Sequence, residues 1–183
     1  MKYTIDIKGM KRDLPLCKVN DNLYIGAFVM FGDVEITKHA AKELLKIAPE
    51  YDIMITAETK GLPLLYEMAR QSNASNYILA RKGSKLYMKD VLTVEVDSIT
   101  TDHKQILCIS GDDVNAMKGK RVLIVDDVIS TGESIKALST LVQKAGGNIV
   151  GKMAVLAEGD ATERKDILYL SKLPLFNPDG TVK

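Results

Sequence analysis

Hydrophobic residues in this chain form short unbroken runs that alternate with stretches of helical periodicity. One run, residues 122–125, contains four apolar residues with no polar interruption. Such a run is typical of a strand that is buried on both faces of a sheet. Downstream, apolar residues at helical spacing predict one buried helix face: Ile135, Leu138, Leu141, Val142 and Ala145. Gly146-Gly147 then predicts the end of that helix.

The same order of strand, loop and helix recurs along the chain. Further apolar runs occupy residues 53–57, 77–80 and 149–158. A helical pattern over residues 62–70 follows the first of these runs. An earlier helix is predicted to begin after Asp33, a good N-cap residue, and to end at Pro49. Its predicted buried face consists of Val34, Ala40, Ala41, Leu44, Leu45 and Ala48.

Strands that alternate with helices predict an α/β fold, with a mainly parallel twisted sheet flanked by helices. We expect a single domain over residues 1–183, whose core spans about residues 25–176. Residues 1–24 and 159–183 contain the two termini. The first of these segments predicts irregular structure or a short hairpin, because Pro15 interrupts a weak alternation.

A β-hairpin is predicted over residues 91–110, and its long polar middle would form a flexible tip. Within this tip, His103 is interpreted as an incidental loop histidine rather than a general base. The final residues, 177–183, are expected to be frayed.

Composition excludes several classes of protein. The chain has 183 residues, of which 46% are hydrophobic and 27% charged, which are ordinary globular values. A net charge of +1 gives no reason to expect nucleic acid or an acidic membrane as a partner. No apolar run approaches the roughly 18 residues of a membrane span, and the first residues lack a signal-peptide core. Cys17 and Cys108 are interpreted as buried free thiols, which predicts a cytoplasmic location.

Candidate chemistry begins directly after the strand at residues 122–125. Asp126 and Asp127 are followed by a loop of small residues, 130–134, that leads into the predicted helix. A helix N-terminus offers free N–H groups and a positive dipole end, so this loop is predicted to bind a phosphate. The two carboxylates would repel phosphate, but they can accept hydrogen bonds from a diol or hold Mg²⁺ through water. The predicted ligand is therefore a ribose 5-phosphate.

Two further polar segments follow predicted strands. Glu58-Thr59-Lys60-Gly61 precedes a helix and so predicts a second anion site. Arg81-Lys82-Gly83-Ser84-Lys85 carries three cations directly after the strand at residues 77–80. Because the carboxyl ends of parallel strands meet at one edge of a sheet, these cations are predicted to face an anion there.

The stretch from residue 121 to residue 134 resembles the phosphoribosyl-diphosphate (PRPP) motif of the type I phosphoribosyltransferases. The resemblance covers about residues 25–176, with Glu133 as a departure where purine members often have Gly. It implies a non-proline cis peptide near Glu58-Thr59, and Asp126, Asp127 and Lys85 as catalytic residues. The implied PRPP-binding residues are Glu58, Thr59, Lys60, Gly61, Arg81, Lys82, Lys85, Asp126, Asp127, Val128, Ile129, Ser130, Thr131, Gly132, Glu133 and Ser134.

Other segments bear on which purine base such an enzyme would bind. Phe31 and Asp33 match a pattern of adenine phosphoribosyltransferases, although Gly32 replaces an Arg of that pattern. This resemblance implies base contacts by Met30 and Phe31, and the last strand implies one by Leu156, for which strand packing is an equal alternative. The tip of the β-hairpin is more similar to that of the xanthine enzymes, because Ile99 and Thr100 stand where adenine enzymes have Glu-Tyr.

The resemblance implies the type I phosphoribosyltransferase fold, with a small hood from residues 1–24 and 159–183 and a mobile lid at the tip of the β-hairpin. It also implies a purine phosphoribosyltransferase, with adenine as the first expectation for the base. Xanthine or guanine is the alternative, and a non-catalytic PRPP- or nucleotide-sensing regulator is a third possibility. The family further implies Mg²⁺ as cofactor with PRPP as co-substrate, and a homodimer. Small molecules, and neither nucleic acid nor membrane, are the expected partners.

Overall fold

The structure, a computed structural model, describes residues 1–96 and 105–183. In chain order the strands are β1 (Lys2–Ile7), β2 (Met10–Asn20), β3 (Leu23–Gly26), β4 (Ile53–Ala57), β5 (Ile78–Ala80), β6 (Leu92–Val96), β7 (Gln105–Ile109), β8 (Arg121–Ile129), β9 (Asn148–Glu158), β10 (Leu168–Leu173) and β11 (Leu175–Phe176). The helices are α1 (Val34–Ile47), α2 (Leu62–Gln71), α3 (Gly111–Met117) and α4 (Glu133–Lys144), with a short 3₁₀ helix at Gly159–Glu163.

The central sheet confirms the predicted α/β fold. Within the described residues it has the strand order β10-β9-β8-β4-β5, and every neighbouring pair is parallel. One face packs against α1 and α2, through residues such as Leu44 and Leu65, and the other packs against α4, through residues such as Leu138. The predicted buried face of α4 is confirmed, whereas Val34 of α1 is exposed.

A second sheet covers one face of the first. It has the order β1-β2-β3-β11 and is antiparallel. The predicted hairpin in residues 1–24 is present as β1 and β2, but it belongs to a larger sheet, and the alternative of irregular structure is wrong. Pro15 is tolerated because it lies where β2 changes partner: pairing with β1 ends at Pro15, and pairing with β3 begins at Leu16. We call this four-stranded sheet the hood.

The predicted hairpin is formed by β6 and β7, and an isolated bridge between Arg81 and Cys108 joins it to the end of β5. Its predicted lid tip, with Ile99, Thr100 and His103, lies outside the described residues. Helix α3 follows the hairpin and was not predicted. Its signal is a capping box, in which Ser110 and Asp113 bond each other's backbone N–H groups.

Three smaller predictions concern the C-terminal residues, the two cysteines and membrane-spanning helices. Residues 177–183 are not frayed, because the Lys183 N–H donates to the Leu175 carbonyl at 2.8 Å and Val182 bridges to Phe176. Cys108 is buried as predicted, but Cys17 is exposed. None of the helices in the described part of the chain combines the length and apolar character needed to cross a bilayer. The single domain over residues 1–183 stays a prediction.

Candidate functional site

Two carboxylates lie inside the central strand of the sheet. Strand β8 continues past its apolar run to Ile129, so Asp126 and Asp127 are strand residues and are only 9% and 5% exposed. The Asp127 N–H donates to Oδ1 of Asp126 at 2.9 Å. Burial raises the pKa of both groups, and the charge of Asp127 raises that of Asp126 further, while Lys60 opposes both shifts.

The loop after β8 ends in a glycine with left-handed backbone. Gly132 has φ 83° and precedes α4, and no side chain caps the first N–H groups of this helix. Few residues other than glycine adopt this conformation without strain, which explains the small residue here. The helix therefore begins with N–H groups that can receive an anion.

The loop after β4 approaches the carboxylates closely. Its Glu58-Thr59 peptide bond is cis, as the resemblance implied. A Cβ on Gly61 would overlap Oγ1 of Thr56 and lie 3.3 Å from Oδ1 of Asp126, so only glycine fits there. Glu58 joins this loop to the next one, because it accepts from the Lys82 N–H at 3.0 Å and pairs with Arg81 at 3.5 Å.

These loops surround a cavity of about 390 Å³ at the carboxyl edge of the sheet. Of the predicted PRPP-binding residues, nine line it: Glu58, Thr59, Lys60, Lys82, Asp126, Asp127, Val128, Ser130 and Ser134. The others are outside its lining. Gly61 and Ile129 are buried, Arg81 is half-buried against Glu58, and Lys85 is exposed. The remaining three, Thr131, Gly132 and Glu133, line a second, open surface beside α4.

The three predicted base contacts lie elsewhere. Met30 and Leu156 are buried in the hydrophobic core below the hood, and Phe31 is half exposed. None of the three lines the cavity. Its apolar wall comes instead from the end of β3, the segment that follows it, and single residues of β4, β7 and β10: Ile25, Gly26, Ala27, Phe28, Val29, Ala57, Leu107 and Leu173.

Glu158 is a cavity residue that the sequence analysis missed. It ends β9, next to Ser130 at the end of β8, and is only 9% exposed. Burial raises the pKa of its carboxyl group, while a hydrogen bond from Ser130 lowers it. The available signal was its position, because a carboxylate directly after an apolar run ends a strand at the ligand edge of the sheet.

Asp126 and Asp127 are also candidates to take part in binding a metal ion. The described residues contain no group of three or more His, Cys, Asp or Glu side chains arranged to hold a metal ion alone. Mg²⁺ commonly uses one or two carboxylates together with substrate phosphates and water. Asp126 and Asp127 fit that limited part, because both line the cavity between the loop after β4 and the loop after β8.

The fold and the cavity define an α/β protein whose ligand site lies at the carboxyl edge of a parallel sheet. The chain belongs to the phosphoribosyltransferase family, because residues 33–174 match the phosphoribosyl transferase domain.

Relatives of known name agree with this assignment. The chain is 30% identical to an adenine phosphoribosyltransferase of Thermosipho africanus over 167 residues, which is 90% of this chain and 94% of the relative. It is 32% identical to a hypoxanthine/guanine phosphoribosyltransferase of Methanothermococcus okinawensis over 150 residues, which is 78% of each chain. Both relatives are purine enzymes by name.

Solved structures show the same fold. An adenine phosphoribosyltransferase of Thermoanaerobacter pseudethanolicus superposes with a TM-score of 0.66 at 24% identity, covering 78% of this chain and 84% of that one. The Saccharomyces cerevisiae enzyme, complexed with adenine and an imino-altritol bisphosphate, gives 0.63 at 18% identity over 93% and 92% of the two chains.

Proposed function

We propose that this protein is a purine phosphoribosyltransferase that converts a free purine base and PRPP into a nucleoside 5′-monophosphate and diphosphate. The observation that carries the proposal is the placement of Asp126 and Asp127 in one cavity, between two loops that each lead into a helix N-terminus. A ligand with a diol between two phosphate groups matches this arrangement, because the diol would meet the two carboxylates and each phosphate would meet one of the loops.

Each part of PRPP then has a partner. Residues 130–134 bind the 5′-phosphate, and Asp126 and Asp127 accept hydrogen bonds from the ribose hydroxyls. Lys60 and Lys82 line the cavity and bind the diphosphate. Arg81 and Lys85 lie outside the lining, and we propose that they add positive charge as the diphosphate leaves. Mg²⁺ would bind through PRPP and water, with Asp126 and Asp127 as possible partners, and would offset charge on the diphosphate.

The reaction needs positioning more than a protein nucleophile. A ring nitrogen of the base releases its proton to water and forms the new bond to C1 of the ribose, while the bond from C1 to the diphosphate oxygen breaks and its electron pair leaves with the diphosphate. Positive charge develops at C1, and negative charge develops on the departing diphosphate. Cations and N–H groups that are already in place stabilise this charge distribution, which is electrostatic preorganisation.

The base is proposed to lie against the apolar wall of the cavity. Adenine is our first candidate, because the adenine enzymes among the relatives cover most of this chain. Hypoxanthine, guanine or xanthine is the alternative, supported by relatives named for hypoxanthine and guanine. Phe28, Val29 and Leu173 replace the earlier predicted contacts as candidates to pack on the ring. A homodimer and a cytoplasmic location complete the proposal.

The proposal is tested by following diphosphate release with Mg²⁺, PRPP and one of adenine, guanine, hypoxanthine, xanthine or uracil. We expect turnover with a purine and none with uracil. Asp127→Asn serves as the site control and should lower kcat/KM by roughly 10- to 100-fold, because it weakens charge-assisted hydrogen bonds to the diol. PRPP binding without turnover would favour the sensor, and the absence of PRPP binding would refute the proposed site.

A further inference from the structure

An arginine outside the cavity lies against the loop that follows β8. Arg164 comes directly after the 3₁₀ helix and is held by a two-point ion pair with Asp166. Its Nε donates to Oδ1 at 2.9 Å, and its Nη2 donates to Oδ2 at 2.8 Å. Lys152 of β9 also bonds Oδ2 of Asp166, at 3.0 Å. The guanidinium plane is therefore fixed by its own neighbours and does not depend on a ligand.

The remaining edge of this guanidinium faces Gly132. A Cβ on Gly132 would overlap Nη1 of Arg164, so the guanidinium occupies the space that a side chain would need. Within the part of the chain that the structure describes, the hydrogen bonds of Arg164 use only Nε and Nη2. Nη1 is thus a charged donor that lies next to the loop and has no protein acceptor among these residues.

The charges around this contact favour an anion. Arg164, Lys136 and Lys152 line the open surface beside α4 together with Thr131, Gly132 and Glu133. The carboxylates at this surface are Glu133 and Asp166, so it carries three positive charges and two negative ones. Arg164 is also only 31% exposed, which limits screening of its charge by water.

We propose that Arg164 is a positioning residue for residues 130–134, which we call the phosphate loop. Arg164 holds the backbone conformation at Gly132 and raises the affinity of this loop for a phosphate monoester. The identity of that monoester as the 5′-phosphate of PRPP rests on the proposed function. The role is distinct from that of Lys60, which lies at the other anion-binding loop and lines the cavity.

The test separates the two ends of PRPP by using ribose 5-phosphate and pyrophosphate as probes, each titrated by calorimetry. We expect Arg164→Met to weaken ribose 5-phosphate binding by about tenfold and to change pyrophosphate binding less than about twofold, because a charge near one anion acts locally. Arg164→Lys should recover part of the loss, since lysine keeps the positive charge but lacks the planar guanidinium group. Lys60→Met should show the reverse pattern.

Two further variants keep the result interpretable. Lys165→Met removes one exposed charge from the neighbouring position and should leave both affinities unchanged. Asp166→Asn keeps the Arg164 charge but loosens its orientation, so it should weaken ribose 5-phosphate binding by a smaller factor. A melting curve for each variant reports whether it is folded.

The outcomes distinguish this proposal from the proposed function. Wild-type protein that binds both probes, with an Arg164→Met variant that loses neither or loses both equally, overturns the role of Arg164 alone. Wild-type protein that binds neither probe overturns both proposals.

Discussion

At the scale of single residues, the carboxylate pair of β8 opposes folding. Asp126 and Asp127 lie beside β9 and are largely buried at the cavity, and this burial raises their pKa values. Lys60 and the Asp127 N–H offset part of the cost. A ligand with hydroxyl groups would donate further hydrogen bonds to these carboxylates, so stability would be given up here for ligand binding.

Asp126→Asn should therefore stabilise the protein at neutral pH. An acid with a raised pKa in the folded state makes folding less favourable as the pH rises from its unfolded pKa through its folded one. Removing it should therefore increase the free energy of unfolding and raise Tm at pH 7.5. The gain should shrink towards pH 4, as measured by urea unfolding.

Asp52 supplies a control for which we expect the opposite effect on protein stability. Its pKa is lowered to about 2 by hydrogen bonds from Arg121. Asp52→Asn should therefore destabilise the protein at pH 7.5, with an effect that fades as the pH falls below the unfolded pKa. An Asp126→Asn variant that is less stable than the wild type at pH 7.5 would contradict our account of the pair.

Gly61→Ala should damage the loop after β4. The added Cβ meets the Thr56 hydroxyl, which is buried and has no hydrogen-bond partner among the described residues, and it crowds Asp126. Forcing such a group into a packed site costs about 1–3 kcal/mol, so the loop must shift. We expect pyrophosphate affinity to fall at least roughly tenfold.

Gly83→Ala is the matched substitution for that experiment. Nothing lies within 4 Å of a Cβ at Gly83, so this change should alter stability and pyrophosphate affinity little. Equal effects of the two substitutions would mean that crowding at Gly61 is not the cause.

At the scale of elements, one ionic cluster joins the hood to the first helix. Asp33 caps α1 by accepting from the Ile36 N–H at 3.0 Å, and its other oxygen receives Nε of Arg12 at 2.7 Å. Arg12 lies on β2 and also pairs with Glu35 in the first turn of α1. The same carboxylate therefore starts a helix and fixes the position of the hood sheet on it.

Two substitutions at Asp33 should separate these roles. Asn keeps the cap and loses the ion pair, which should cost about 0.5–1 kcal/mol. Ala loses both and should cost about 1 kcal/mol more. Unfolding by urea at pH 7 gives both values. Because Arg12 lowers the pKa of Asp33, the difference between wild type and Asn should fade as the pH drops below about 4. Equal losses for Asn and Ala would argue against a cap.

At the scale of the whole molecule, the cavity exists because two sheets are brought together. The hood and the parallel sheet share one hydrophobic cluster that contains Ile7, Leu14 and Leu173. The cavity opens where Gly26, at the end of β3, approaches Leu173 at the end of β10. A small apolar surface lies on the segment between β5 and β6, where Leu86 is fully exposed and Tyr87 is mostly exposed.

This apolar surface leads us to expect a homodimer in solution. The chain mass is 20.1 kDa, so analytical ultracentrifugation should give a species of about twice that mass. Leu86→Glu should shift the equilibrium towards monomer at micromolar concentration. Leu168→Glu, at another exposed leucine, should not. A monomeric wild type would contradict the homodimer, and an unaffected Leu86→Glu dimer would place the interface elsewhere.

The sequence by itself determined the parallel core and the order of its chemical groups. Strands β4 and β8, helix α4 and the two glycine-containing loops follow from local patterns, because apolar runs, helical periodicity and glycine act over neighbouring residues. The predicted acids and most of the predicted loops do meet at one sheet edge, since parallel strands end together.

The resemblance implied a hood, but only the tertiary structure decided its strand pairing and the wall of the cavity. The hood pairs β3 with β11, elements from opposite ends of the chain, and no local pattern reports such a pairing. Whether a strand residue lines the cavity depends on where its side chain points and on what covers it. This is why Leu156 is in the core while Glu158, two residues later, lines the cavity.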